Sequence, residues 1–315
     1  MLWMIRRVDQ YRLVSAEQIA AAGLPLQDVY DLVIEGFKLH ASGEYECPPK
    51  QGVHTRPDAF MHAMPAYLPT KDLAGSKLVS VYPDNPAKGL AATTGLIMMM
   101  DPDTGVITDI LDAQWVTNAR TAMVSMVTAE HLAKSNPVFG LVGATGACGQ
   151  AHIEAIATIF PGSRVLINSR SQERCEAVVS DYLNEPCELV VTMDQEALVK
   201  ECDVLIVCTS RLSQPIFQFD WLHAGQSVLN VHAGAWPGEI TEQIDRVSCD
   251  DRAQVLDPTN GLVGSYPALD PDFELGAVVA GEHPGRESPD HIIFSFNYGL
   301  ALFDLLVADR ILAVI

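Results

Sequence analysis

The feature that most constrains the fold is a short apolar run that leads into regularly spaced glycines and then into a helical pattern. Residues 137–160, PVFGLVGATGACGQAHIEAIATIF, predict a strand, a tight turn and an amphipathic helix. Gly143, Gly146 and Gly149 give G-x-x-G-x-x-G, a variant of the dinucleotide-binding G-x-G-x-x-G loop. Glycine lets a ligand approach the backbone, and a helix start offers unpaired N–H groups. The stretch therefore predicts a pyrophosphate site made by Gly143, Thr145, Gly146 and Ala147.

Apolar strand patterns alternate with amphipathic helix patterns from about residue 138 to 250. This alternation predicts an α/β fold, with a parallel, doubly wound sheet of the Rossmann type covered by helices on both faces. The earlier part of the chain differs, because two strand patterns meet at Asp101-Pro102-Asp103-Thr104-Gly105, which reads as a hairpin turn. Turn chemistry explains its aspartates better than metal binding does. The sequence thus predicts a second, mostly antiparallel α+β region.

The strand after the glycine loop indicates which dinucleotide is bound. In NAD(H)-binding domains a carboxylate near this strand tip accepts the ribose 2′-OH. Here the tip reads Asn168-Ser169-Arg170-Ser171, with Arg174 one turn later and no carboxylate. Guanidinium and hydroxyl groups suit a 2′-phosphate, so NADP(H) is favoured and NAD(H) stays an alternative. Arg170 could instead stack on the adenine of either cofactor.

The composition excludes several classes of partner. The 315 residues carry a formal net charge of −20, which argues against nucleic-acid binding and against an anionic membrane surface. Seven cysteines without a CxxC pair favour a reduced, cytoplasmic chain, with Cys148 a small packing residue. The apolar run in residues 1–10 is too short for a signal peptide. The histidines form no spaced cluster, so no metal site is expected.

Three longer motifs resemble the ornithine cyclodeaminase/mu-crystallin family. They are KLVSVYPDNPAKG (77–89), DPDTGVITDILDAQWVTNARTA (101–122) and ELGAVVAGEHPGR (274–286), and they occur in the family's order. The resemblance implies a homodimer of two-domain subunits, with residues 1–118 and 293–315 binding substrate and forming the dimer, and residues 119–292 binding the dinucleotide. It also implies hydride transfer between a nicotinamide and the Cα of an imino or amino acid.

The resemblance also assigns roles to individual residues. Lys77 matches the family lysine at the substrate, and Arg120 matches the arginine that binds its carboxylate, which suits a bidentate guanidinium. The motif MPAY places Met64 beside the substrate. An earlier family arginine has no clear match, and Lys50 and Arg56 are both candidates for its place. The remaining cofactor-binding residues expected are Thr121, Asn168, Ser169, Arg170, Thr209 and Asn297.

The sequence departs from the family pattern where the cyclodeaminases carry a general base. Their G-A-D triplet reads Gly234-Ala235-Trp236, and the F-K-S-x-G motif has lost its lysine and serine around Asn297. A positioned base is needed more for oxidising an amine than for reducing a preformed imine. The loss favours a reductase, in which Trp236 shapes the substrate pocket or stacks on an unsaturated substrate. His232, at a strand end, could supply the proton or could merely be hydrogen-bonded there.

Two other functions stay open from the sequence alone. One is a cyclodeaminase with tightly held NAD, which the missing aspartate disfavours. The other is a non-catalytic NADP(H)-binding protein like the mu-crystallins, which the same losses would also explain.

Overall fold

The computed structural model describes residues 11–209, 212, 214–260 and 262–315, and these form two β-sheets with helices packed around them. The amino-terminal segment, with its short apolar run, lies outside the described residues. In the described part, no helix is both long and apolar enough to cross a membrane.

The first sheet has six strands in the order β1-β6-β5-β4-β3-β2. Strands β2 to β6 pair antiparallel, and β1 joins β6 in parallel. The predicted turn joins β5 to β6, and Asp101 Oδ1 accepts hydrogen bonds from the backbone N–H groups of Asp103 and Thr104, which confirms the hairpin. The strands are β1 (Arg12–Val14), β2 (Gln51–Arg56), β3 (Ala59–Leu68), β4 (Leu73–Val81), β5 (Thr93–Met100) and β6 (Ile107–Asp112).

The second sheet has eight parallel strands in the order β13-β12-β14-β11-β10-β7-β8-β9. Strand order reverses between β7 and β10, which is the switch point where doubly wound sheets bind ligands. The predicted Rossmann-type domain is confirmed. Its strands are β7 (Phe139–Val142), β8 (Arg164–Asn168), β9 (Glu188–Val191), β10 (Val204–Val207), β11 (Ser227–Asn230), β12 (Arg246–Cys249), β13 (Phe273–Glu274) and β14 (Ile293–Phe296).

Helices cover both sheets. The capping box at Ser15, whose hydroxyl accepts from the Gln18 N–H, fixes the start of α1. The helices are α1 (Ala16–Ala22), α2 (Leu26–Ser42), α3 (Gln114–Leu132), α4 (Ala147–Ile159), α5 (Gln172–Asp181), α6 (Gln195–Glu201), α7 (Arg252–Leu256), α8 (Leu262–Ser265), α9 (Leu275–Val279) and α10 (Ala301–Leu312).

The carboxyl-terminal helix returns the chain to the first sheet. Helix α10 packs against α2, α3 and strands β3 to β5, and Phe303 meets Phe37 at 4.9 Å between ring centroids. The preceding strand, β14, lies between β11 and β12 in the second sheet. The expected boundary at residue 293 is therefore wrong by one strand, since the return to the first domain comes after Phe296.

Candidate functional site

The glycine loop connects β7 to α4 at the switch point of the second sheet. Gly143 has φ +91°, and a Cβ there would meet the backbone of Cys208 at 2.8 Å. A Cβ on Gly149 would lie 2.4 Å from the Gly143 carbonyl oxygen. At Gly146 a Cβ would meet only that carbonyl oxygen, at 3.6 Å. Two of the glycines thus serve packing of the loop, and the third leaves open space beside the helix start.

Helix α4 begins with no side-chain cap. Gly146 is its N-cap residue, and no side chain of the described residues satisfies its first-turn N–H groups. Thr145 Oγ1 lies 2.8 Å from Ser169 Oγ at the tip of β8, so two predicted cofactor-binding hydroxyls meet there. The uncapped amides and the open Gly146 fit the pyrophosphate of a dinucleotide.

At the tip of β8 the predicted residues divide into two groups. Asn168 is buried, and its amide donates to the Thr192 carbonyl oxygen at 2.7 Å, so this side chain holds the next strand and does not face a ligand. The prediction that its side chain binds the cofactor is therefore not supported by its orientation. Arg170 and Arg174 are exposed, and neither pairs with a carboxylate among the described residues.

A cavity of about 450 Å³ opens between the inner face of the first sheet and the carboxyl ends of the central Rossmann strands. Strands β3 and β4 line one side, the start of α3 lies along it, and the segment after β11 closes the other side. Its polar lining residues are Lys50, His54, Asp58, His62, Lys77, Thr93, Thr117, Asn118, Arg120, Thr121, Cys148, His232, Asn297 and Tyr298.

Two cations from different elements share one carboxylate at this cavity. Lys77 of β4 is fully buried, with Nζ 2.7 Å from Asp304 Oδ2. Arg120 of α3 is 6% exposed, and its Nε donates to Asp304 Oδ1 at 3.0 Å. Asp304 lies on α10 and is fully buried. With two cations and one carboxylate, the cluster keeps an excess positive charge next to the cavity, which is suited to an anionic ligand.

The pKa of the buried lysine differs strongly from that of a lysine in water. Burial and the nearby Arg120 charge together lower the pKa of Lys77 to about 7, although Asp304 acts in the opposite direction. The Lys77 ammonium makes its ion pair without a well-aligned hydrogen bond, so its N–H groups remain available to a ligand. At neutral pH this lysine can therefore both bind an anion and release a proton.

The structure separates the two candidates for the missing family arginine. Lys50 is buried and lines the cavity. Its Nζ lies 2.7 Å from the Tyr298 carbonyl oxygen and 3.8 Å from the centre of the Tyr298 ring. Burial lowers its pKa to about 8. Arg56 is exposed on β2 and donates to the backbone of Thr55. Lys50 is therefore the residue placed to act with Lys77 and Arg120.

Two more polar atoms in the lining have no partner among the described residues. His232 Nδ1 is buried without a hydrogen bond, and so is Thr117 Oγ1. Burial lowers the pKa of His232, so its imidazole is neutral near pH 7. A buried polar group without a partner is costly unless a ligand or water satisfies it. These atoms indicate that the cavity is built around a polar ligand.

Six of the predicted site residues line the cavity: Met64, Lys77, Arg120, Thr121, His232 and Asn297. Met64 pairs with Lys77 across β3 and β4, and Thr121 and Asn297 lie in the lining. Thr209 follows β10, and its backbone N would lie 2.9 Å from a Cβ on Gly143. Ala147 occupies the first turn of α4.

Trp236 is placed differently from the prediction. Its ring is 2% exposed and packs between Phe217 and Phe294, at centroid distances of 4.9 and 5.4 Å. These rings belong to the hydrophobic cluster around the second sheet, and Trp236 is absent from the cavity lining. The interpretation that Trp236 shapes the substrate pocket is wrong, because the backbone after β11 turns this side chain into the core.

Two residues of the site were missed or left open by the sequence. No role was assigned to Asp304 from the sequence, although an acid among the leucines and alanines of an apolar helix was the available signal. His62 also lines the cavity, and burial lowers its pKa to about 4, so it stays neutral.

Two groups of metal-ligand types occur in the described part of the chain, although the sequence predicted no metal site. Cys148, His152 and Cys208 form one, and His40, Asp251 and Glu274 form the other. In the second group His40 Nε2 lies 3.0 Å from Asp251 Oδ2, which also accepts from the Tyr45 hydroxyl. These contacts account for the second group as a buried hydrogen-bond network.

Comparisons with known proteins agree with this architecture. The family model described as "Ornithine cyclodeaminase/mu-crystallin family" matches residues 13–313. The nodulation efficiency protein NfeD of Rhizobium meliloti is 32% identical over 303 residues, which cover 95% of this chain and 94% of that protein. Alanine dehydrogenase of Archaeoglobus fulgidus is 28% identical, covering 94% and 92%. The structure of Thermococcus litoralis Delta(1)-pyrroline-2-carboxylate reductase in complex with NADH and L-proline has a TM-score of 0.85 at 22% identity, covering 96% and 97%.

Proposed function

Because the chain belongs to the ornithine cyclodeaminase/mu-crystallin family, we propose that it is an NAD(P)H-dependent imino-acid reductase, equivalently an amino-acid dehydrogenase in the reverse direction. One observation carries the proposal: a single cavity is lined by buried cations on one side and, on the other, by Cys148 in the first turn after the glycine loop and by the segment that follows β11. A relative 28% identical over nearly the whole chain is an alanine dehydrogenase, which supports the same reaction class.

The cations of the cavity would hold the substrate. The Arg120 guanidinium gives Nε to Asp304, and its remaining N–H groups can bind an α-carboxylate. Lys77 and Lys50 add positive charge on the same side. Burial strengthens each of these interactions because little water screens them. The carboxylate is thereby fixed in place, and the imine carbon is oriented towards the carboxyl ends of the Rossmann strands.

The dinucleotide supplies the hydride for the imine carbon when it is bound. The imine nitrogen becomes an amine and needs a proton, which the substrate brings with it if it arrives protonated. Otherwise Lys77, with its pKa near 7, or His232, with its unpartnered Nδ1, is placed to deliver it. Both line the cavity, and the pH dependence described below tests Lys77 as the donor.

The proposal is tested by oxidation of NADPH and NADH in the presence of imines. A panel should include Δ1-pyrroline-2-carboxylate and 2-oxo acids mixed with ammonia or methylamine. Absorbance at the reduced-nicotinamide band should fall with wild-type protein and not with Lys77→Gln, while the exposed control Lys88→Gln should behave as wild type. A panel that leaves both cofactors unoxidised, with both shown to bind, would refute the reductase and favour a binding protein.

The tip of β8 supports NADP(H) as the preferred cofactor. Arg170 and Arg174 are exposed and no acidic side chain stands at the strand end. We expect Arg170→Ser/Arg174→Ser to raise the KM for NADPH by about 10²-fold and to change that for NADH by less than about threefold, since only the phosphate contacts are lost. Steady-state kinetics with each cofactor measures this, with Arg164→Ser as a control remote from the tip. Equal effects on both cofactors would mean that Arg170 stacks on adenine.

The pH dependence of reduction should report Lys77. Its pKa near 7 means that the ammonium form, which binds the carboxylate and can donate a proton, is lost as the pH rises above 7. We therefore expect kcat/KM to be highest below about pH 7 and to fall above it by up to about tenfold per pH unit. Lys77→Arg stays charged, so its descending limb should move to higher pH. If the descending limb does not move, the ionisation that it reports belongs to Lys50 or to the substrate and not to Lys77.

The outer face of the first sheet supports a homodimer. Its apolar side chains are neighbours across the strands, with Leu13 opposite Ile110 and Leu78 opposite Leu96, and Leu13 is 66% exposed. A contiguous apolar face of this kind is typical of a protein interface. Light scattering after size exclusion should give twice the chain mass.

Seven free cysteines support a reducing compartment such as the cytoplasm.

A further inference from the structure

Two cysteines and a histidine lie together beneath the glycine loop, apart from the cation cluster. Cys148 is in the first turn of α4, and Cys208 follows β10 directly. Their Sγ atoms are 3.7 Å apart, the one sulfur–sulfur contact within hydrogen-bonding range among the described residues. His152 Nδ1 lies 3.8 Å from Cys148 Sγ and 3.5 Å from Cys208 Sγ. Neither the carboxylate site nor the glycine loop requires thiols at these positions.

The two thiols differ in their readiness to ionise. His152 Nδ1 donates to the Cys148 carbonyl oxygen at 2.7 Å, so this ring nitrogen carries the proton and presents it beside both sulfurs. A hydrogen bond from Cys208, together with His152, lowers the pKa of the Cys148 thiol well below its usual range. Burial raises the pKa of Cys208. Since Cys148 also lines the cavity, we assign it as the nucleophile and Cys208 as the neighbouring thiol.

The thiols also differ in access. Cys148 lines the cavity, whereas Cys208 is 8% exposed and lies behind it. A small oxidant that enters the cavity meets the more reactive sulfur first. Cysteines that respond to oxidants have this combination of low pKa, access and an adjacent second thiol.

We propose that Cys148 and Cys208 form a reversible disulfide when hydrogen peroxide enters the cavity, and that the cross-link closes the dinucleotide site. The Cys148 thiolate attacks one peroxide oxygen, the O–O bond breaks, and the leaving hydroxide takes up a proton, which leaves a sulfenic acid. The Cys208 sulfur then attacks Cys148 Sγ as its proton leaves, the S–O bond breaks, and a second water forms. Peroxide gains the two electrons that the thiols lose.

Closure follows from the position of the bond. A disulfide is about 2.05 Å long, so the sulfurs must approach by about 1.7 Å. Cys148 carries one of the uncapped amides of α4, and Cys208 adjoins Gly143, where a Cβ has no room. Drawing the first turn of α4 towards the end of β10 narrows the space at the phosphate-binding amides. This consequence rests on the proposed function, whereas the formation of the disulfide does not.

The disulfide is tested by mass spectrometry on the full-length protein. Reduced protein is treated with hydrogen peroxide, its remaining thiols are alkylated, and the digest is searched for a peptide joining Cys148 to Cys208. Two of the seven thiols should be lost, and dithiothreitol should restore them. Cys148→Ser and Cys208→Ser should each prevent the link, and the control Cys187→Ser should not. Seven alkylated thiols after oxidation, or a link between another pair, would overturn the proposal.

Closure is tested separately by titration with NADPH and NADH, followed by nicotinamide fluorescence. We expect the oxidised protein to bind about tenfold more weakly than the reduced one, with the loss reversed by dithiothreitol and absent in Cys208→Ser. Equal affinity of the cross-linked and reduced forms would overturn the closure. If the reduced protein binds neither dinucleotide, the proposed function fails, and the mass spectrum still decides whether the disulfide forms.

Discussion

Arg120→Gln is expected to lower kcat/KM for imine reduction by about 10²–10³-fold while leaving the affinity for the dinucleotide within about threefold of wild type. The guanidinium is the group best shaped to bind a carboxylate through two parallel hydrogen bonds, and glutamine offers neither its charge nor its geometry. The cavity side of Arg120 faces the substrate space, and its Nε is the atom committed to Asp304. Loss of the guanidinium should therefore weaken the binding and orientation of the substrate and not the binding of the dinucleotide.

Two variants sharpen this experiment. Arg120→Lys keeps the charge without the planar fork, so it should recover only part of the activity. Arg12→Gln makes the same substitution outside the cavity lining, at an arginine that pairs with Asp109 on the surface, and it should leave kcat/KM unchanged. If Arg120→Gln retains more than about a third of the wild-type kcat/KM, the carboxylate is bound elsewhere, and Lys50 becomes the first candidate.

Local patterns predicted the parts of the molecule that local chemistry determines. The spacing of Gly143, Gly146 and Gly149 indicated a loop between a strand and a helix, and the apolar runs indicated a parallel sheet. The family motifs identified Lys77 and Arg120, and both line the cavity. Even so, the difference between the packed Gly143 and the open Gly146 was not visible from spacing, because the contacts that exclude a Cβ at Gly143 come from Cys208, far along the chain.

Long-range contacts account for what the sequence could not predict. Asp304 meets Arg120 across 184 residues, because α10 crosses back to the first sheet after β14. Asn168 was assigned to the cofactor from its position at a strand end, and Trp236 to the substrate from its place in the family's G-A-D triplet, a few residues after a strand end. A strand end fixes where the backbone lies, but the direction of each side chain depends on what it packs against, which is Phe294 for Trp236 and the end of β9 for Asn168.

Asp304→Asn is expected to reduce the free energy of unfolding by about 3–5 kcal/mol. The substitution keeps the size of the side chain but removes the only carboxylate that contacts both Lys77 and Arg120 among the described residues. Arg120 would then remain buried without a countercharge, and Lys77, whose pKa of about 7 already includes the opposing effect of Asp304, would be driven to lose its proton. Water screens neither group, because all three side chains are at least nine-tenths buried. Urea unfolding followed by circular dichroism, with and without the substitution, measures the change.

A matched control and a double variant distinguish lost charge pairing from a general defect in α10. Asp309→Asn changes an exposed aspartate on the same helix and should alter stability by no more than about 0.5 kcal/mol. Lys77→Met combined with Asp304→Asn removes the amine that would otherwise lie buried beside Arg120 without its carboxylate partner. It should therefore be less destabilised than the sum of the single variants, with a coupling of about 1–3 kcal/mol. Strict additivity would mean that Lys77 and Asp304 do not act as a pair, and the excess positive charge assigned to the cavity would then need another source.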